Sequence, residues 1–149
     1  MPFRQNEILA AGSRAPAIEG LAASGPVLVV FFKITCPVCQ FTLPFLNRIQ
    51  QAGTLPVFGI SQNGAADTRE FVEEFSVEYP VLLDPEDANF PAGNAYGIST
   101  VPSLFLIGQD GKIERAIEGW SRKEMEWLGA RSGATVIRQG ENVPEWKAG

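Results

Sequence analysis

The chain holds two thiols, and both lie in one four-residue stretch, Cys36-Pro37-Val38-Cys39. The thiolate is the nucleophilic form of cysteine, and it is stabilised where a helix begins. There the first N–H groups lack partners and the positive end of the helix dipole points outward. Cys36 falls just before or within such a first turn, so it is expected to be the nucleophile. Cys39 lies three residues on, close enough to bond to it, and is expected to be the more buried, resolving thiol. The pair can then alternate between dithiol and disulfide with little backbone movement. Two ordinary buried cysteines are the blander possibility, since cysteine is often buried. Both cysteines sharing one C-x-x-C at a strand-to-helix junction argues against it. A tetrahedral metal site needs four ligands. Two thiolates in a chain without histidine supply half of one, so no metal is expected. No cofactor is expected beyond the Cys36–Cys39 disulfide itself. The missing histidine also excludes a Ser-His-Asp triad.

The surrounding pattern explains how the thiols would be held. Val27 to Phe32 is an unbroken apolar, β-branched and aromatic run, as a strand covered on both faces requires. After it, Val38, Phe41, Phe45 and Ile49 fall at helical spacing, with Leu46 alongside. Pro37 suits the first turn, Pro44 should kink the helix, and Gly53 ends it. Leu55–Ile60 reads as a second buried strand and Asp67–Phe75 as a helix capped by Asp67. Val81–Leu83 and Ser103–Ile107 read as strands, and Asn94–Tyr96 as a short helix closed by Gly97. Gln109-Asp110-Gly111-Lys112 is a hairpin turn leading to a return strand, Ile113–Ile117. Ser121–Ala130 is a last helix with a capping box of Ser121 and Glu124. Residues 1–14 read as a loosely held lead-in. A short edge strand is expected between Ala15 and Pro26, and another strand at Ala134–Ile137 in a tail of residues 132–149. The order β-α-β-α-β-(α)-β-β-α predicts one α/β domain over 1–149. Its mixed sheet has a parallel βαβ core, a late antiparallel hairpin and helices on both faces.

Composition narrows the partners. The formal charge is −5 over 149 residues, and no run of Lys and Arg forms a patch. Such a chain has no electrostatic reason to bind nucleic acid. No stretch has the length of a membrane span, and the first residues lack a signal-like apolar core. These features lead to an expected cytoplasmic setting. A periplasmic or membrane-associated setting would apply if the natural chain continues beyond this sequence. The cluster of Asp84, Glu86 and Asp87 is assigned to turn chemistry around Pro85. Trp120, Trp127 and Trp146 are assigned to packing.

VVFFKITCPVCQFTLPFL resembles the active-site strand and helix of the thioredoxin superfamily. Pro44 matches that family's helix proline. Tyr96 to Ile107 resembles the segment carrying its cis-proline, and Gln109 to Ile113 its hairpin. The longer insert GISQNGAADTREFVEEFSVEYPVLLDPE is similar to that of TlpA-like thiol–disulfide oxidoreductases and the related peroxiredoxins. The resemblance implies a thioredoxin-like three-layer α/β/α sandwich. It also implies that Cys36 attacks a substrate disulfide and Cys39 resolves the mixed disulfide. Pro102 would be cis beside the two sulfurs, with the Val101 backbone pairing with a bound peptide. Thr35, Pro37 and Val38 would face the substrate. The implied partner is a protein thiol, disulfide or reductase, and the implied state a monomer or weak dimer. Three positions depart from the pattern. Thr35 replaces a tryptophan, Val30 a buried acid, and Thr42 a glutamate, so no acid is marked as proton acceptor for Cys39. A thiol peroxidase of peroxiredoxin type is the alternative. Its threonine should stand three residues before the reactive cysteine, whereas Thr35 lies one before Cys36 and four before Cys39. A binding module stapled by the disulfide is the third option. A three-residue separation closes almost no loop and makes a poor staple.

Overall fold

The computed structural model describes residues 7–22 and 25–149. β1 (Val27–Phe32) is buried at all six positions and sits at the centre of a five-stranded sheet. It pairs in parallel with β2 (Val57–Ser61), which pairs in parallel with β3 (Val81–Leu83). On its other side lies antiparallel β4 (Ser103–Ile107), followed by antiparallel β5 (Ile113–Glu118). The order is β3-β2-β1-β4-β5.

Alternate residues of β1 serve two cores. Leu28, Val30 and Phe32 pack with Cys39, Leu43, Leu46 and Ile49 of α1 (Pro37–Ala52). The same core takes Phe71 of α2 (Ala65–Glu74) and Met125 and Leu128 of α4 (Arg122–Ser132). Val27, Val29 and Phe31 face the other way, toward Phe105, Ile18 and Tyr96 of α3 (Pro91–Tyr96). Helices therefore cover both faces, as the alternating pattern predicts. Burying both faces of β1 is why its sequence is continuously apolar rather than alternating.

Several boundaries move for local reasons. β2 begins at Val57, just past Pro56, which has no N–H for a ladder. α2 starts at Ala65 with Gly64 as its cap, so Asp67 lies in the first turn instead of capping it. α3 starts earlier than expected because Pro91 suits a first turn, and it closes on Gly97 at φ 70. α1 runs on through Pro44 as one helix. Ser121 caps α4 by accepting from the Glu124 N–H at 3.2 Å. The Glu124 carboxylate turns instead to Arg115, at 2.7 and 2.9 Å, so only half of the capping box forms.

The largest corrections concern the two ends. Residues 1–6 of the lead-in and residues 23–24 of the expected edge strand lie outside the described residues. The described lead-in is tied down: Leu9 N–H donates to Tyr96 O and Gly12 N–H to Ile113 O. Between residues 15 and 26 the described chain forms no strand, and an isolated bridge joins Arg14 to Lys112. Ala134–Ile137 is not a strand either. The Ala134 N–H turns back to Gly129 O, and Val136 enters the core while its carbonyl accepts from Arg48 at 2.7 Å. Arg48 also grips Glu141 with two bonds, at 2.6 and 2.7 Å. That guanidinium, helped by the Arg138 N–H, lowers the Glu141 carboxyl to about 2. The contribution of this pair to stability is present above the ordinary carboxylate range and lost as pH falls through about 2. The tail then forms β7 (Trp146–Lys147) against β6 (Trp120–Ser121). Trp120 is fully buried against Phe41 and Phe45, while Trp146 is 64% exposed. Among the described residues no helix is long and apolar enough to cross a membrane.

Candidate active site

The turn from β1 into α1 is fixed before the sulfur is reached. The Ile34 N–H donates to Asn63 Oδ1 at 2.8 Å, and the Ile34 carbonyl accepts from Gln40 Nε2 at 2.9 Å. With both main-chain groups of Ile34 held, Cys36 is presented at the N-cap of α1. Its sulfur accepts the Cys39 N–H at 3.1 Å, the role a Ser or Asp oxygen plays at other helix starts. Pro37 occupies the first turn, where its missing N–H costs nothing. On the other side the Cys36 thiol donates to the Val101 carbonyl at 3.5 Å. The Val101–Pro102 peptide bond is cis, and Pro102 is buried while Val101 is half-buried.

The two cysteines are free thiols in contrasting surroundings. Cys36 is partly exposed and Cys39 fully buried. Burial pushes the Cys39 thiol far above the ordinary range, and the hydrogen bond with Cys36 adds to this. The Lys33 main chain and its charge oppose the shift without cancelling it. Below Cys39, the buried Tyr79 hydroxyl donates to the Leu43 carbonyl at 2.9 Å. Burial raises that phenol as well, so it stays protonated beside Cys39. Once Cys36 is tied up in a mixed disulfide, only burial remains as a major brake on Cys39. Release of substrate from that intermediate should therefore accelerate steadily with rising pH through the alkaline range. Stopped-flow decay of a preformed mixed disulfide checks this, and a rate independent of pH contradicts it.

A cavity of about 510 Å³ opens beside Cys36. Pro37 and Val101 line it with Cys36, so the fold brings these three expected residues together. Thr35 is exposed nearby and Val38 packs toward the core, and neither lines the cavity. Lys33, Gln62, Phe90 and Gly93 form part of the remaining wall. Lys33 Nζ lies 5.9 Å above the Phe90 ring. Phe90 adopts a left-handed backbone, φ 49, which non-glycine residues rarely take.

Asp84 is the residue that sequence reasoning placed wrongly. It is 1% exposed and supports this wall instead of merely shaping a turn. Its carboxylate accepts from Ala92 N–H at 2.8 Å, Gly93 N–H at 2.9 Å and Gln62 Nε2 at 2.9 Å. One usable sign in the sequence is an acid directly after an apolar strand and seven residues before a helix start.

Thr42, where the resemblance leads one to expect a glutamate, is fully buried in α1. Its hydroxyl has no hydrogen-bond partner among the described residues. A buried unpaired hydroxyl costs roughly 1–3 kcal/mol. Thr42→Val, which keeps the shape and removes the hydroxyl, should raise stability by about 1 kcal/mol in urea unfolding. A destabilised variant would show that the hydroxyl has a partner in solution.

Known proteins share this fold. The thioredoxin domain of a thiol-disulfide oxidoreductase from Bacteroides vulgatus superposes with a TM-score of 0.66 at 25% identity, covering 75% of this chain and 91% of that one. A thiol:disulfide interchange protein from Bacteroides sp. superposes with a TM-score of 0.69 at 24% identity, covering 85% and 92%. The fold is thus the expected thioredoxin-like α/β sandwich. In sequence, the chain is 28% identical over 102 residues to the thiol-disulfide oxidoreductase ResA of Geobacillus thermodenitrificans (strain NG80-2). That alignment takes in 66% of this chain but spans only 57% of the relative's length. The AhpC/TSA family model matches residues 17–116. That span runs from ahead of β1 through most of β5 and includes both cysteines and Pro102, so the chain belongs to the AhpC/TSA family.

Proposed function

We propose that the chain is a thiol–disulfide oxidoreductase acting on protein disulfides or dithiols through Cys36 and Cys39, with no cofactor beyond this pair. In the reducing direction the Cys36 thiolate attacks one sulfur of a substrate disulfide. A Cys36–substrate disulfide forms, and the other substrate sulfur leaves as a thiolate and takes a proton. Cys39 then loses its proton and attacks the Cys36 sulfur, releasing the second substrate thiolate. Two electrons pass to the substrate, and Cys36–Cys39 becomes a disulfide. The oxidising direction is the reverse.

The supporting observation is the placement of the Cys36 sulfur. It sits between the Cys39 N–H and the Val101 carbonyl, open to a cavity, with its partner thiol buried directly behind it. The Cys39 N–H stabilises the thiolate both as attacking and as leaving group. Val101, whose carbonyl meets the Cys36 thiol, and the cis Pro102 stand beside the reacting sulfur. Pro37 contacts the substrate from the cavity side, and the exposed Thr35 lies close by. The names of the relatives agree with this chemistry. A peroxidase of peroxiredoxin type fits less well. Among the described residues, Lys33 is the single charged side chain lining the cavity, and none of the lining residues is an arginine to bind peroxide.

Mixing the reduced chain with a protein disulfide in the absence of air tests the proposal. Two chain thiols should vanish for each disulfide reduced, with a Cys36–Cys39 bond found by mass spectrometry. No reaction with disulfides, together with rapid sulfenate formation on brief peroxide treatment, would support the peroxidase instead.

A further inference from the structure

The end of the tail lies against the segment that should receive the substrate. The route there is well anchored. Val143 is buried in the main core, the Pro144 carbonyl accepts the Trp120 indole N–H at 2.7 Å, and the Glu145 carbonyl accepts the Arg122 N–H at 2.9 Å. β7 then pairs with β6 and delivers Gly149 onto Thr100 and Val101. The fit is close. A Cβ added at Gly149 would overlap the Val101 carbonyl oxygen and approach Thr100 Oγ1 to 2.6 Å. A Cβ at Gly119, which has φ 73, would overlap the Lys147 carbonyl oxygen. At both places glycine leaves room for a close approach of tail and body that a Cβ would block. Gly149 also lines the cavity beside Cys36. The carbonyl it covers is the one that meets the Cys36 thiol.

We propose that residues 147–149 act as a built-in strap over the Val101 edge and select the substrate class. This rests on the oxidoreductase reading above. An extended polypeptide would have to add its backbone alongside Val101, where Gly149 already lies. With that edge covered, Cys36 is reached through a cavity of about 510 Å³, a size suited to a compact group. The strap favours small disulfides, and protein disulfides at protruding tips, over disulfides inside extended chain. Its anchors make it a fixed selector, since Pro144 and Glu145 are held independently of residues 147–149.

Two disulfides and two variants test this. Hydroxyethyl disulfide is the compact probe. An unstructured peptide of about 20 residues closed by one internal disulfide is the extended probe. In single turnovers of reduced protein, a variant lacking 147–149 should gain about tenfold on the extended probe, the ratio that ~1.4 kcal/mol produces. Its rate with hydroxyethyl disulfide should change by clearly less than this, so that the ratio of the two rates moves toward the extended probe. Gly149→Leu in the full chain should shift the preference the same way, and it decides the matter if the shortened chain does not fold. An unchanged or lowered preference for the extended probe, with hydroxyethyl disulfide still reduced, overturns the strap alone. Failure of the unaltered chain to react with either probe overturns the oxidoreductase reading instead.

Discussion

Cys39→Ser protein mixed with a protein disulfide should accumulate a stable adduct joined through Cys36. The thiol that would resolve it is the buried one behind the sulfur, and no other cysteine exists in the chain. Cys36→Ser should form no adduct and should lose exchange activity by a factor on the order of a thousand or more, as removal of a nucleophile generally does. The asymmetry follows from burial. Cys36 is partly exposed at the cavity, whereas Cys39 is fully enclosed and held in its protonated form by that enclosure. Non-reducing gel electrophoresis followed by mass spectrometry distinguishes the outcomes. An adduct through Cys39 in the Cys36→Ser protein would reverse the assigned roles.

Asp84→Ala should be among the most damaging substitutions outside the cysteines. It removes the acceptor for three donors at once, two of them main-chain N–H groups opening α3. Buried donors left without partners cost about 1–3 kcal/mol each. A total loss of about 3–5 kcal/mol is expected from the urea unfolding midpoint. Asp84→Asn, which keeps one acceptor oxygen, should lose less. The site should suffer as well, because Gln62 and Gly93 line the cavity and both lean on this carboxylate. A loss below about 1 kcal/mol would mean that water takes over the bonds, and would remove Asp84 from the account of the wall.

What the sequence made legible was local. β1 follows from six consecutive apolar residues, and the N-cap position of Cys36 follows from Pro37 and the helical spacing after it. The Asp110-Gly111 hairpin forms as read, with Gly111 at φ 80 and Lys112 N–H bonded to Asp110 Oδ1 at 3.0 Å. Each depends on neighbours within a few residues. The features that escaped depend on distant partners. Asp84 looked like one member of an acidic turn, because Gln62 lies 22 positions away in the chain. The tail looked like a strand at Ala134–Ile137, because its apolar residues suit one. Contacts across 88 and 93 positions, from Arg48 to Val136 and Glu141, draw that segment into the core as irregular chain instead. Hydrophobic pattern shows that a segment is buried but does not show against what. The same limit applies to the proton from Cys39. Thr42 and Val30 stand where the resemblance leads one to expect acids, and the structure shows both buried. Tyr79, close enough to sense Cys39, is itself held protonated.

The reduction potential of the Cys36–Cys39 pair tests the central claim most directly. The chain is equilibrated across a graded series of thiol–disulfide buffers, and the oxidised fraction is read by mass spectrometry. A working exchange couple should fall within the span of known oxidoreductases, about −120 to −270 mV. A potential below about −300 mV, typical of structural disulfides, would contradict the account and make the pair a staple.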